Sequence, residues 1–139
     1  MTWDNIIRTI SAVVGGALGF LFGELDGFFY ALLSFMAIDY ISGVLIAILN
    51  KELSSEVGFK GLVKKIFMLM LVAVGHIIDA QVIGTGAAVM MGVELVFIAN
   101  EGISILENAA KLGVPIPKKL KDILIQLKND DDKGGGVDG

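Results

Sequence analysis

The run Ile66-Phe67-Met68-Leu69-Met70-Leu71-Val72-Ala73-Val74 decides the class of fold, because it is apolar on every side of any helix drawn through it. A helix of a soluble bundle keeps one polar face for water, and this run has none to offer. It lies inside an apolar stretch at residues 62–83, and further stretches lie at residues 6–23, 27–49 and 86–106. Each is close to the ~20 residues that carry a helix across a bilayer core of ~30 Å. The expected fold is an all-α integral membrane protein with about four transmembrane helices. The first stretch departs most from the pattern, since Arg8, Thr9 and Ser11 fall in its first turns and its glycines lower helix propensity. Three spans, with the first segment lying in the interface, are therefore the alternative. A cleaved signal peptide is a second alternative, although no small-x-small pattern follows Gly23.

Composition agrees with the run. Of 139 residues, 55% are hydrophobic and 19% charged, and the mean hydropathy is +0.77. Soluble domains hold about 45–50% apolar and about 25% charged residues, so a water-soluble all-α bundle is the disfavoured reading. The formal charge of −4 offers no basic field for nucleic acid. With no Cys and one His, neither a thiolate nucleophile nor a Cys- or His-rich metal site can be assembled. No cofactor, metal or catalytic residue is expected.

The placement of charge suggests an orientation. Glu24 and Asp26 separate the first two stretches without a Lys or Arg, and the turn near residues 79–86 also lacks both. Arg8 precedes the first apolar core; Lys51, Lys60, Lys64 and Lys65 surround the central loop; Lys111, Lys118, Lys119, Lys121, Lys128 and Lys133 lie in the tail. Four spans with both termini in the cytoplasm put all 11 basic residues on the positive side of a bacterial cytoplasmic membrane. Lys64, Lys65, Lys118, Lys119 and Lys121 are the expected membrane-surface basic residues.

The chain divides into a helical membrane domain at residues 1–112, a basic amphipathic helix at 113–128 and an acidic, Gly-rich tail at 129–139, expected to be disordered. Ser54-Ser55-Glu56 reads as a helix start, and Gly113 as a helix stop reinforced by Pro115 and Pro117. Beyond it, Leu120, Ile123, Leu124 and Leu127 form one apolar stripe, suited either to anionic headgroups or to a neighbouring subunit.

Gly15, Gly19 and Gly23 repeat every four residues, which favours close helix packing in lipid over a phosphate loop, since no strand precedes them. Gly43, and Gly92 beside Ala88, give weaker forms of the same spacing. The ionisable residues inside the stretches are more informative. Asp39 falls near the middle of the second, and Glu94 and Glu101 are a heptad apart in the fourth, with Asn108 one heptad on. His76 and Asp79 are one turn apart in the third and are positioned to pair. A charge facing lipid at such depth costs at least about 2.5 kcal/mol, so these groups are expected to face protein or water. Three roles are open: packing locks between helices, the wall of an aqueous opening built from several copies, or a proton relay through His76 and Asp79. A homo-oligomer in the bilayer is the expected assembly.

Two separated blocks carry a family resemblance. The first is Asp39-Tyr40-Ile41-Ser42-Gly43 followed by Asn50-Lys51-Glu52-Leu53-Ser54-Ser55-Glu56-Val57-Gly58-Phe59-Lys60-Gly61-Leu62-Val63-Lys64-Lys65. The second is Asn100-Glu101-Gly102-Ile103-Ser104-Ile105-Leu106-Glu107-Asn108-Ala109-Ala110 with Gly113-Val114-Pro115-Ile116-Pro117-Lys118-Lys119-Leu120-Lys121. Together they resemble the phage lysis and toxin-secretion holins of Gram-positive bacteria and their phages. The resemblance implies a non-enzymatic protein that accumulates in the host cytoplasmic membrane, assembles and opens lesions. Its implied functional partner is an endolysin that escapes to the cell wall, or, in related bacterial members, a large toxin. Members are often drawn with three spans, one fewer than the reading above. Two other expectations stay open: a secretion channel, and a non-conducting scaffold recruiting a partner through residues 117–128.

Overall fold

The computed structural model describes residues 2–84 and 86–135, with side chains as far as residue 129. Five helices follow one another: α1 (Trp3–Phe22), α2 (Gly27–Leu49), α3 (Ser55–Ile77), α4 (Ala88–Lys111) and α5 (Lys118–Gly135). Between α3 and α4 the chain continues as a π-helical stretch, Ile78–Ile83. The first four helices, the third including that stretch, are each long and apolar enough to cross a membrane.

Local chemistry sets the boundaries. Thr2 caps α1, Asp26 accepts the Phe29 N–H at 3.0 Å to cap α2, and Ser54 accepts the Val57 N–H at 3.2 Å to cap α3. The Ser54 cap starts α3 seven residues before the apolar stretch at residue 62, so the central connector shrinks to residues 50–54. Two helices end in the paired backbone bonds of a Schellman motif, in which a left-handed residue turns the chain back on its last carbonyls. After α4 the left-handed position is Gly113 (φ 75°), with Val114 N–H to Ala109 O at 3.1 Å and Gly113 N–H to Ala110 O at 3.0 Å. After α2 it is Lys51 (φ 56°), a residue that bears the steric cost glycine avoids.

Because the connectors are short, α2 and α4 run parallel to each other and antiparallel to α3. The contact of α2 with α4 is the most extensive between helices, and α1 packs mainly on α3, meeting α2 through Phe22 on Phe29. The core consists of Phe22, Phe29, Leu32, Met36, Met68, Val72, Ala73, Met90 and Ile98, with the Phe22 and Phe29 rings tilted at a centroid distance of 4.8 Å. Gly75 lets α3 approach α4 closely, since a Cβ there would stand 3.1 Å from Met90 Cα.

Outside this core the surface is unusually large. The chain exposes 9587 Å², whereas a compact soluble protein of its mass exposes about 6900 Å². Trp3, Ile7, Val13, Phe20, Leu45 and Phe67 are among its exposed apolar side chains. Such an exterior suits lipid or other copies of the chain.

α5 docks on its own chain. It folds back along α4, where Leu124 is buried against Gly102, while Leu120 and Ile123 of the same stripe stay exposed. The helix runs to Gly135, and of the expected tail at 129–139 residues 136–139 lie outside the described residues. A composition too polar to build a core does not prevent a backbone from remaining helical once a docked helix has been started.

Candidate functional site

The halves of α2, α3 and α4 nearer the connector at residues 50–54 enclose a polar cluster. On α3, Lys65, Met68 and Val72 share one face by their 3-4 spacing, which turns Lys65 inward and leaves Lys64 exposed. Lys65 Nζ donates to Asp39 Oδ2 on α2 at 2.8 Å and to Glu101 Oε2 on α4 at 2.7 Å. The three side chains are 14%, 15% and 7% exposed in that order. Asn108, two turns beyond Glu101, donates to Asp39 Oδ1 at 3.3 Å and to Ser42 Oγ at 2.9 Å, while Ser42 Oγ donates to the Asp39 carbonyl at 2.9 Å. One ammonium thus holds three helices together through two carboxylates. Such a network is costly to break, because removing one partner leaves a charge in a site that water barely reaches.

Beside the cluster, a cavity of about 530 Å³ opens between the same helices, bordered by Asp39, Lys65, Glu101 and Asn108 on its polar side. It exists because α3 leans away from α2: their contact is slight, and Tyr40 spans the gap, lying on Gly61 and donating its hydroxyl to the Gly58 carbonyl at 3.3 Å.

Glu94 stands on the same side of α4, seven residues earlier. It is fully buried, and among the described residues neither carboxylate oxygen has a hydrogen-bond partner. The structure directs His76 and Asp79 to different partners. The His76 ring lies over Gly23, so close that a Cβ there would meet it at 2.6 Å. Asp79 is buried and accepts the Val89 and Met90 N–H groups at 3.0 and 2.8 Å, supplying the cap that the start of α4 lacks in its own sequence.

The glycines also separate. Gly23 is covered by His76, and Gly43 lies near Asn108 Nδ2 at 3.9 Å for a built Cβ, whereas Gly15, Gly19 and Gly92 have nothing within 4 Å. Lys118, Lys119 and Lys121 are exposed on α5. Lys65 is the main correction: it serves the buried cluster rather than the membrane surface, and the register it shares with Met68 and Val72 is the signal that distinguishes it from Lys64. Among the described residues no group of three or more His, Asp or Glu side chains is placed to hold a metal ion.

Four long apolar helices, three of them closing on a small buried ion cluster, mark a multi-pass membrane protein. The bacteriophage holin family model matches residues 16–129, and the chain belongs to that family. A protein of Bacillus phage phi105 called a probable holin is 36% identical over 117 residues, covering 84% of this chain and 85% of the relative. An uncharacterized protein of Halalkalibacterium halodurans is 36% identical over 134 residues, covering 94% of this chain and 99% of its own length. An uncharacterized 14.9 kDa protein of Clostridium perfringens is 39% identical over 130 residues, covering 91% and 98%. No solved structure matches the chain.

Proposed function

We propose that the protein is a working holin. It oligomerises in the bacterial cytoplasmic membrane and opens lesions through which a cytoplasmic endolysin reaches the cell wall, without catalysing a reaction itself. The observation that carries this reading is the family match over residues 16–129, which takes in most of the candidate spans and the whole ion cluster. Both termini lie in the cytoplasm, which keeps the 11 basic residues on the positive side.

The structure gives the role a physical basis. A pore-forming subunit must hide polar groups while it is dispersed in lipid and present them to water once copies gather. Lys65 pairs with Asp39 and Glu101 inside the subunit, and the adjoining cavity leaves this group open to a second copy of the chain on assembly. Glu94, buried without a partner, adds a group that gains hydration when the helices part.

Expression in a bacterial host with and without a cytoplasmic endolysin tests the proposal. The expected result is entry of a normally excluded dye with the protein alone, and abrupt lysis only when the endolysin is also present. A membrane that stays tight to the dye at full expression overturns it. If the neighbouring gene encodes a toxin rather than a wall-degrading enzyme, the same lesion serves export.

A further inference from the structure

Resting on the oligomeric reading above, we propose that copies join head to tail, with α1 of one copy seated in the cavity between α2 and α3 of the next and its Arg8 beside Asp39 and Glu101. Four observations lead there. First, α1 is held by its own chain mainly at its C-terminal end: of its residues only Ile6, Leu21 and Phe22 are buried or half-buried, and it packs on α3 and, through the Phe22–Phe29 ring pair, on the start of α2. Second, Arg8, Gly15 and Gly19 share one face by their spacing of seven and four residues, the glycines of that face have nothing within 4 Å, and Arg8 is exposed. Arg8 is the sixth residue of α1, near its cytoplasmic end, where a guanidinium turns to headgroups or to a polar partner rather than to hydrocarbon.

Third, the charges are complementary. The cluster sets two carboxylates against the single Lys65 ammonium, and the exposed Lys64, although it borders the cavity, forms an ion pair with neither acid. One further cation is missing, and among the described residues Arg8 forms no ion pair within its own chain.

Fourth, the heights agree. α1 and α3 run the same way and touch where Gly23 meets His76. Arg8 precedes Gly23 by 15 residues and Gly61 precedes His76 by 15, so both lie about 22 Å below that contact on straight helices. Gly61 lines the cavity. Rotation about the membrane normal, as in a cyclic assembly, preserves height from copy to copy. Arg8 of one subunit therefore arrives level with the cavity of its neighbour, about one turn from the Lys65 cluster. Because α1 and the cavity are different surfaces, the contact is heterologous. It closes into rings or extends as an array, and it needs no second interface to grow.

The absence of native Cys makes the test direct. Asn5, on the Arg8 face, and Val44, in the cavity wall, fall at the same height, so two differently tagged chains carrying Asn5→Cys and Val44→Cys are expressed together and oxidised. A mixed disulfide dimer is expected, and Ile10→Cys, on the opposite side of α1, is expected to give none with Val44→Cys. Arg8→Glu should lower the mixed dimer by about tenfold while Arg8→Lys retains it. Oligomers that persist and still leak dye without the Asn5–Val44 disulfide overturn this contact and leave the holin reading standing. Chains that stay monomeric in a tight membrane overturn both.

Discussion

Replacing Lys65 by Met keeps most of the side-chain volume and deletes the one ammonium that links α2, α3 and α4. Asp39 and Glu101, 15% and 7% exposed, then face each other without a cation. Asn108 still donates to Asp39, but nothing replaces the 2.7 Å bond to Glu101. Removing one member of a buried ion network costs about 3–5 kcal/mol, a large part of the roughly 5–15 kcal/mol that holds a domain folded. The assay is thermal unfolding in mild detergent, with Lys64→Met as control because Lys64 is exposed and unpaired with these acids. Lys65→Met is expected to unfold about 10 °C lower than the control. The triple variant Lys65→Met, Asp39→Leu, Glu101→Met, which removes every charge of the cluster together, should recover most of that loss. A Lys65→Met protein as stable as Lys64→Met refutes the reasoning, since it means that the ammonium does not hold the helices together.

Three other outcomes are expected. Glu94→Met replaces a fully buried carboxyl group without a hydrogen-bond partner, so thermal unfolding should show a gain of about 1 kcal/mol or more. Gly102→Leu places atoms where Leu124 Cδ2 already lies 2.7 Å from a built Cβ; α5 should leave α4 and become open to limited proteolysis beyond Gly113. In a lysis assay at equal expression, Glu101→Gln should alter timing or lesion size more than Glu52→Gln in the exposed connector, and equal, negligible effects count against a role for the cluster in assembly.

The four long helices were legible because hydropathy is a local property of the chain. Nine apolar residues from Ile66 to Val74 carry their own solvent preference wherever the rest of the protein lies. The caps were legible for the same reason, as Ser54 and Gly113 show. The site was legible only in part. Asp39, Glu101 and Asn108 stood out as polar groups in apolar surroundings, yet the sequence did not name what joins them, because Lys65 sits among lysines that a charge count assigns to the surface. The register with Met68 and Val72 turns that lysine inward, but its two acceptors lie 26 and 36 residues away on other helices, which spacing along α3 does not reveal. Asp79 was paired with His76 on spacing alone; the π-helical stretch lies between α3 and α4 and lets it cap the start of α4 instead. The docking of α5 depends on a notch at Gly102 that a stripe of leucines does not reveal.

As proposed above, the chain by itself makes openings in a lipid bilayer large enough for folded protein. Purified protein added to vesicles that hold both a small dye and a labelled enzyme of endolysin size measures it directly. Release of both, rising steeply with the number of copies per vesicle, is the predicted result. Retention of the enzyme while the dye escapes, or retention of both, contradicts the account.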